Sequence, residues 1–206
     1  TLSATFEDIS VCYLSAPGEP EAINQIDGLI IMPLDGRPIT NAQEFRDVFY
    51  LFKQTRTAAY VDNGDEPSSW EPTLLEQGFG ASVHGIATVL DSGGVNIDFL
   101  IVTNWAGVFV FNGAYTFPEL SWKIETLWQD ELDRNEFADI QIVNDTVNKI
   151  IYMNLPNGYV LYGSYEEGMD SKAIKWALWK FEVEIVTLAM IQVDVLSLGS
   201  NGVAIV

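Results

Sequence analysis

The chain has 206 residues, 48% of them hydrophobic and 12% aromatic, which favours a folded core and excludes an intrinsically disordered protein. Its 29 acidic residues outweigh 10 basic ones, and the net charge of −19 argues against sequence-specific nucleic-acid binding and docking on anionic membranes. Cys12 is the single cysteine, so an intrachain disulfide and a cysteine-based zinc cluster are excluded, and no apolar run reaches the roughly 18 residues of a membrane-spanning helix, so no membrane insertion is expected.

The N-terminal third predicts short strands separated by turn-forming residues. Segment 15–21 favours a loop because it holds two prolines and a glycine, and residues 40–44 fit either a capped helical turn or a loop. Segment 62–69 is rich in acidic side chains but lacks the ligand spacing of a calcium loop, so a solvated turn is favoured over a calcium site. The strands are predicted at 9–14, 26–33, 47–52 and 57–61.

Residues 83–122 carry the clearest pattern, a run of four short antiparallel strands joined by tight turns. The first three strands are predicted at 84–90, 97–102 and 108–111, and a fourth, outer strand is expected to carry Trp122. A hairpin over residues 104–107 joins the second strand to the third. Gly107 and Gly113 stand where a turn needs a positive φ.

The same pattern recurs along the chain. Downstream, strand pairs are predicted at 149–153 with 159–163 and at 193–198 with 203–206, and an outer strand at 174–181. The hairpin glycines Gly107, Gly158 and Gly202 are 51 and 44 residues apart, and the outer-strand tryptophans Trp70, Trp122 and Trp176 are 52 and 54 apart. Two residue types with a similar period indicate a repeated structural unit.

This periodicity predicts an all-β protein built of β-propeller blades, each a four-stranded antiparallel meander in a repeat of about 50 residues. The alternative is an all-β sandwich with accidental spacing. We expect residues 1–206 to form a single propeller region and, because the last unit lacks its outer strands, a partial propeller completed elsewhere. The expected blades are 26–76, 83–124 and 138–181, with an incomplete blade at 185–206.

Residues that carry chemistry are few. His84, the single histidine, has no nucleophile motif to serve, and Cys12 has no basic neighbour, so both are interpreted as structural. The charged segment 128–137 is expected to be a surface loop or short helix. No catalytic, cofactor-binding or metal-binding residue is assigned. Trp105, at the tip of a predicted hairpin, is the one candidate interface residue.

Two segments resemble a known family. HGIATVLDSGGVNIDFLIVTNWAGVFVFNG, followed by PELSWKIETLW, and IYMNLPNGYVLYGSYEEGMDSKAIKWALWKF resemble the propeller portion of nozzle (tubular) and hub-like stabilisation proteins of short-tailed bacteriophages. The resemblance covers roughly residues 45–195 and rests on blade-level patterns. It implies a virion structural protein of the phage tail, made in the host cytoplasm, that forms a homo-oligomeric ring and assembles with other tail proteins. It implies no catalytic residues.

We therefore expect a non-enzymatic tail component that assembles around the DNA conduit and needs no cofactor. The acidic surface is expected to keep the free subunit soluble and to let DNA pass without adhering. The alternative is a carbohydrate- or ligand-binding propeller. A propeller glycosidase is less favoured, since it needs two carboxylates facing each other across a central pocket.

Overall fold

The computed structural model gives an all-β protein whose contacts divide it into two compact units, Thr1–Ala81 and Ser82–Val206. The all-β prediction is confirmed. Among the described residues, no helix is long and apolar enough to cross a bilayer. The structure describes residues 10–16, 19–30, 36–75, 80–89, 99–113, 115–116, 120–132, 140–168, 172–182, 188–193 and 200–205.

Each unit is built of short strands. The first unit contains β1 (Val11–Ala16), β2 (Glu19–Ile30), β3 (Ile39–Phe45), β4 (Val48–Lys53), β5 (Thr57–Val61) and β6 (Thr73–Leu74). The second contains β7 (Ile86–Val89), β8 (Phe99–Asn104), β9 (Gly107–Phe111), β10 (Tyr115–Thr116), β11 (Gln141–Asp145), β12 (Ile150–Leu155), β13 (Tyr159–Ser164), β14 (Lys175–Lys180), β15 (Leu188–Val193) and β16 (Ser200–Ile205). Short 3-10 turns occur at Pro67–Ser69, Leu120–Ile124 and Pro156–Gly158, and a π-helical turn at Leu127–Glu131.

The strands pair antiparallel with their neighbours along the chain. In the described ranges they form three four-stranded meanders, β3–β6, β7–β10 and β11–β14, and two hairpins, β1–β2 and β15–β16. The order follows from the sequence, because apolar runs of four to seven residues alternate with Gly, Asn and Asp turns that reverse the chain.

One core cluster of the first unit lies on one face of the meander β3–β6. Leu29 of β2 packs there with Leu51, Ala58 and Tyr60, and all four side chains are buried. Lys53 at the end of β4 is also fully buried, and its ammonium donates a hydrogen bond of 2.9 Å to Ser10 Oγ. A buried charge requires such polar partners.

The core of the second unit joins the meanders β7–β10 and β11–β14. Strand β8 is buried on both faces, and the apolar faces of both meanders meet the fully buried Trp128. The first strands of the two meanders lie beside each other, with a parallel bridge between His84 and Gln141 and a 3.2 Å hydrogen bond from Ile142 N to His84 O. Strand β11 also lies beside β15.

Two of the three outer-strand tryptophans were predicted wrongly. Trp176 does lie in an outer strand, β14. Trp122 instead lies in the 3-10 turn Leu120–Ile124, and Trp70 lies between the turn Pro67–Ser69 and β6. The outer strands β6 and β10 have only two residues each, and neither includes its tryptophan, since β6 begins after Trp70 and β10 ends before Trp122.

Other predictions also need correction. Residues 40–44 belong to β3, because Ala42 pairs with Leu51 of β4, and the predicted loop 15–21 is largely taken up by β1 and β2. Gly202 is not a turn glycine, since it pairs with Ile191 inside the hairpin β15–β16. Gly107 and Gly113 do have positive φ, 155° and 108°. Part of the predicted surface segment 128–137 is described, and there Trp128 is core.

Candidate functional site

The hairpin between β8 and β9 places Trp105 at a tip of two residues. Asn104 and Gly107 pair across the turn, which leaves Trp105 and Ala106 as the connection. The Asn104 side-chain oxygen accepts hydrogen bonds from the backbone nitrogens of Ala106 at 2.8 Å and Gly107 at 3.3 Å. An Asn that holds its own turn in this way fixes the backbone without outside partners.

This tip is held firmly from beneath. The buried Trp128 donates its indole N–H to Asn104 O at 3.0 Å, and Ser121 Oγ accepts from Val108 N at 3.1 Å. At the base of the hairpin, Thr103 N donates to Gly85 O at 2.7 Å. A Cβ at Gly85 would lie 2.2 Å from Thr103 Oγ1, so the two segments pack as closely as glycine permits.

Trp105 stands on this rigid support with 38% of its surface exposed. The predicted position at an exposed hairpin tip is confirmed, while its role as an interface residue stays a prediction. An aromatic side chain on a fixed backbone loses little conformational entropy on binding, which suits it to a protein contact.

A second feature, which the sequence analysis missed, is a groove in the first unit. It has a volume of about 310 Å³, and we call it the Trp70 groove. Two aromatic rings and a leucine form its apolar wall, and three carboxylates stand around it. Its described lining is Leu14, Glu44, Asp47, Phe49, Asp62 and Trp70.

Local structure explains how the acidic side chains come together. Glu44 faces Phe49 across the β3–β4 hairpin, and the turn of this hairpin is made by Arg46 and Asp47 with φ of 53° and 60°. Asp62 directly follows β5, and its Oδ1 accepts a 2.7 Å hydrogen bond from Gly64 N. The β3–β4 turn and the end of β5 lie at the same end of the sheet, because β4 runs antiparallel to both neighbouring strands.

The aromatic wall is anchored in the core of the unit. Trp70 is half-buried, packs against the cluster of Leu51 and Tyr60, and donates its indole N–H to Asp65 O at 3.2 Å. Burial raises the pKa of Tyr60 to about 12, with a smaller contribution from Cys12. Its core packing and its hydrogen bond to Asp65 O thus anchor Trp70, which also lines the groove.

A third feature is an aromatic patch on the meander β11–β14. Tyr152 and Tyr162 are cross-strand partners with ring centroids 5.7 Å apart, and Trp179 lies 5.5 Å from Tyr162. Trp179 is 41% exposed. Such a patch is a normal way to stabilise a sheet surface, since stacked cross-strand rings contribute up to about 1 kcal/mol per pair.

The other residues singled out from the sequence do not gather into a site. His84 is exposed at the start of the second unit, and Cys12 is half-buried in the first. Burial raises the pKa of the Cys12 thiol, which disfavours a reactive thiolate. Within the described ranges, no group of three or more His, Cys, Asp and Glu side chains is placed to hold a metal ion.

A search of protein-family models and of curated proteins finds no match to this chain. The proposed role therefore rests on the geometry and charge of the chain itself.

Proposed function

We propose that this chain is a non-enzymatic structural component of a bacteriophage tail, of the nozzle or hub type, whose meanders are propeller blades. In the virion it assembles with other tail proteins around the DNA conduit. The observation that carries the proposal is the succession of two four-stranded meanders, β7–β10 and β11–β14, whose first strands lie side by side.

The arrangement of first strands supports the propeller in particular. The chain just before β7 runs parallel to β11 at the His84–Gln141 bridge, β7 lies beside β11, and β11 also lies beside β15. In a propeller, the innermost strands of successive blades stand next to each other around a central channel, and the outer strands face away from it. A sandwich of two facing sheets does not require first strands to adjoin in chain order.

The Trp105 tip supports an assembly role. Aromatic side chains are enriched among the residues that carry most of the binding energy of protein interfaces, and the best of them stand on rigid, preorganised backbone. In this proposal, Trp105 inserts into a pocket of a neighbouring tail protein. The net charge of −19 fits a component next to DNA that must not bind it, because DNA affinity depends on basic side chains.

The test is the affinity of the chain for its tail neighbours. Trp105→Ala should weaken binding to tail proteins purified from the particle by about 30-fold, the effect of a strong interface residue. The matched control is Trp122→Ala, which removes another exposed tryptophan, 61% exposed, from a 3-10 turn. Equal binding by wild type and Trp105→Ala would contradict the role of Trp105, and no binding by wild type would contradict the tail role.

A second candidate function, a carbohydrate- or ligand-binding protein, is favoured by one observation, the aromatic wall of the Trp70 groove. A glycan array decides between the two functions. Binding of a neutral glycan that is lost in Trp70→Ala and kept in Trp105→Ala would favour this candidate over the tail protein.

A further inference from the structure

We propose that the Trp70 groove binds one lysine or arginine side chain from a partner protein. The inference deepens the assembly role proposed above and rests on it only for the identity of the partner. It concerns a surface separate in sequence from the Trp105 hairpin, since every residue of the described lining belongs to the first unit.

The size of the groove limits its occupant. Its volume of about 310 Å³ is at the lower end of ligand pockets, which span roughly 300–1,000 Å³. A space of this size accepts one long side chain or a small molecule, and not a strand or a helix. The groove therefore suits a single projecting residue at the centre of a larger contact.

The chemistry of the lining selects a cation. Glu44, Asp47 and Asp62 bring three carboxylates to one small groove. The rings of Trp70 and Phe49 also line the groove, and aromatic rings attract ammonium and guanidinium groups over their faces. A guanidinium uses both features, since it stacks on rings and donates paired hydrogen bonds to carboxylates.

The described lining contains no basic side chain that would offset the negative charge of its three carboxylates. Arg46 is the nearest basic residue in sequence, but its guanidinium lies 5.0 Å from the centre of the Phe45 ring. Its charge lowers the pKa of Tyr50, against the larger rise caused by burial. Tyr50 and Phe49 alternate along β4, so Tyr50 points to the face opposite the groove.

A neutral saccharide is the less suitable occupant. It would stack on the rings but gain nothing from the three carboxylates beside them. A cationic side chain interacts with both, and the overall charge of −19 also attracts a basic partner surface from a distance. The observations thus favour a basic protein surface.

Three substitutions remove the charge without changing shape. In Glu44→Gln the side chain is exposed, in Asp47→Asn the new residue tolerates the φ of 60°, and Asp62→Asn keeps the oxygen that accepts from Gly64 N. We combine them as the groove variant. The matched control variant makes the same change of charge at exposed positions of the second unit and combines Asp130→Asn, Glu131→Gln and Glu182→Gln.

The probe is a capped Gly-Arg-Gly peptide titrated into the full chain and followed by the indole N–H resonance of Trp70, assigned from its loss in Trp70→Phe. The arginine peptide should shift this resonance in a saturable way. The same peptide with citrulline, which keeps the shape and lacks the charge, should not. The groove variant should bind at least about tenfold more weakly, since charge-assisted hydrogen bonds are lost, and the control variant should bind like wild type.

Three results would overturn the inference: equal shifts with the citrulline peptide, wild-type affinity in the groove variant, or a neutral saccharide that shifts the Trp70 resonance when the arginine peptide does not. These results are independent of the tail assignment. If Trp105→Ala weakens association with tail proteins and the groove does not bind arginine, the inference is contradicted while the proposed function is not. If the groove binds arginine and the chain does not bind tail proteins, the proposed function is contradicted while the inference is not.

Discussion

The meanders β3–β6 and β11–β14 have the same connectivity but use their tryptophans in opposite ways. In β11–β14 the outer strand has six residues, and Trp176 lies within it with its ring over Gly163 and its N–H bonded to Leu120 O at 3.1 Å. In β3–β6 the outer strand has two residues, and Trp70 precedes it and lines a groove.

This difference indicates that the length of the outer strand decides whether a recurrent tryptophan packs within the sheet or lies in a loop. A long outer strand supplies backbone pairing on one side and a packing surface beneath the ring, so the tryptophan becomes part of the sheet. A short outer strand does not reach the tryptophan, which then depends on loop contacts and leaves part of its ring on the surface. The even spacing of Trp70, Trp122 and Trp176 in the sequence hides these three separate environments.

The largest effect is expected at the tryptophan within the long strand. Trp176→Ala should lower the free energy of unfolding by about 2–4 kcal/mol, the lower part of the range for aromatic truncations in a core, because the ring is half-buried. Urea denaturation followed by far-ultraviolet circular dichroism measures the change. A loss below about 0.5 kcal/mol, typical of surface positions, would break the comparison.

A smaller loss is expected from the glycine beneath this ring. A Cβ at Gly163 would lie 2.4 Å from Trp176 Cζ3, so Gly163→Ala forces the ring to move and should cost about 1–3 kcal/mol by overpacking. The double variant Gly163→Ala/Trp176→Ala supplies the control. Because the clash disappears with the ring, the two losses should not add. Additive losses in the double variant would contradict the contact.

The core beneath the groove predicts a dependence on pH. The pKa of the Tyr60 phenol is raised by burial from 10.0 to about 12. Below pH 10 the phenol is protonated in both states, so stability is unaffected. Between pH 10 and about 12 the unfolded chain releases the proton first, so stability falls as pH rises. Tyr60→Phe should flatten this part of the stability curve, and an unchanged slope in the variant would refute the assignment.

The smallest effect is expected at the third tryptophan of the series. Trp122 is 61% exposed in its 3-10 turn, so Trp122→Ala should change the free energy of unfolding by less than about 0.5 kcal/mol. The same urea titration as for Trp176→Ala measures it. A large loss would mean that strand length does not separate these tryptophans.

The sequence predicted seven strands well. β4, β5, β8, β9, β12, β13 and β14 lie within about two residues of their predicted positions. They are apolar runs bounded by turn residues, so local composition and burial indicate the same element. β3 was missed because its sequence ITNAQEF is mostly polar and resembles a helix start, and only pairing with β4 makes it a strand.

The candidate sites divide in the same way. Trp105 was found because its turn is local, with Asn104 and Gly107 only three residues apart in sequence. The Trp70 groove was missed because it brings together residues 14, 44, 47, 49, 62 and 70, and three of them belong to the unrecognised hairpin β3–β4. Trp128 was predicted to lie in a charged surface segment. It is buried instead, and its indole N–H donates a hydrogen bond to Asn104 O.

The measurement that tests the central claim most directly is mass spectrometry of purified phage particles from the source of this chain. The account predicts that its peptides are present in intact particles, at a constant ratio to other tail proteins, and remain with the tail when heads and tails are separated. Peptides found only in the particle-free fraction, from a protein of 22.9 kDa that sediments alone, would contradict the account.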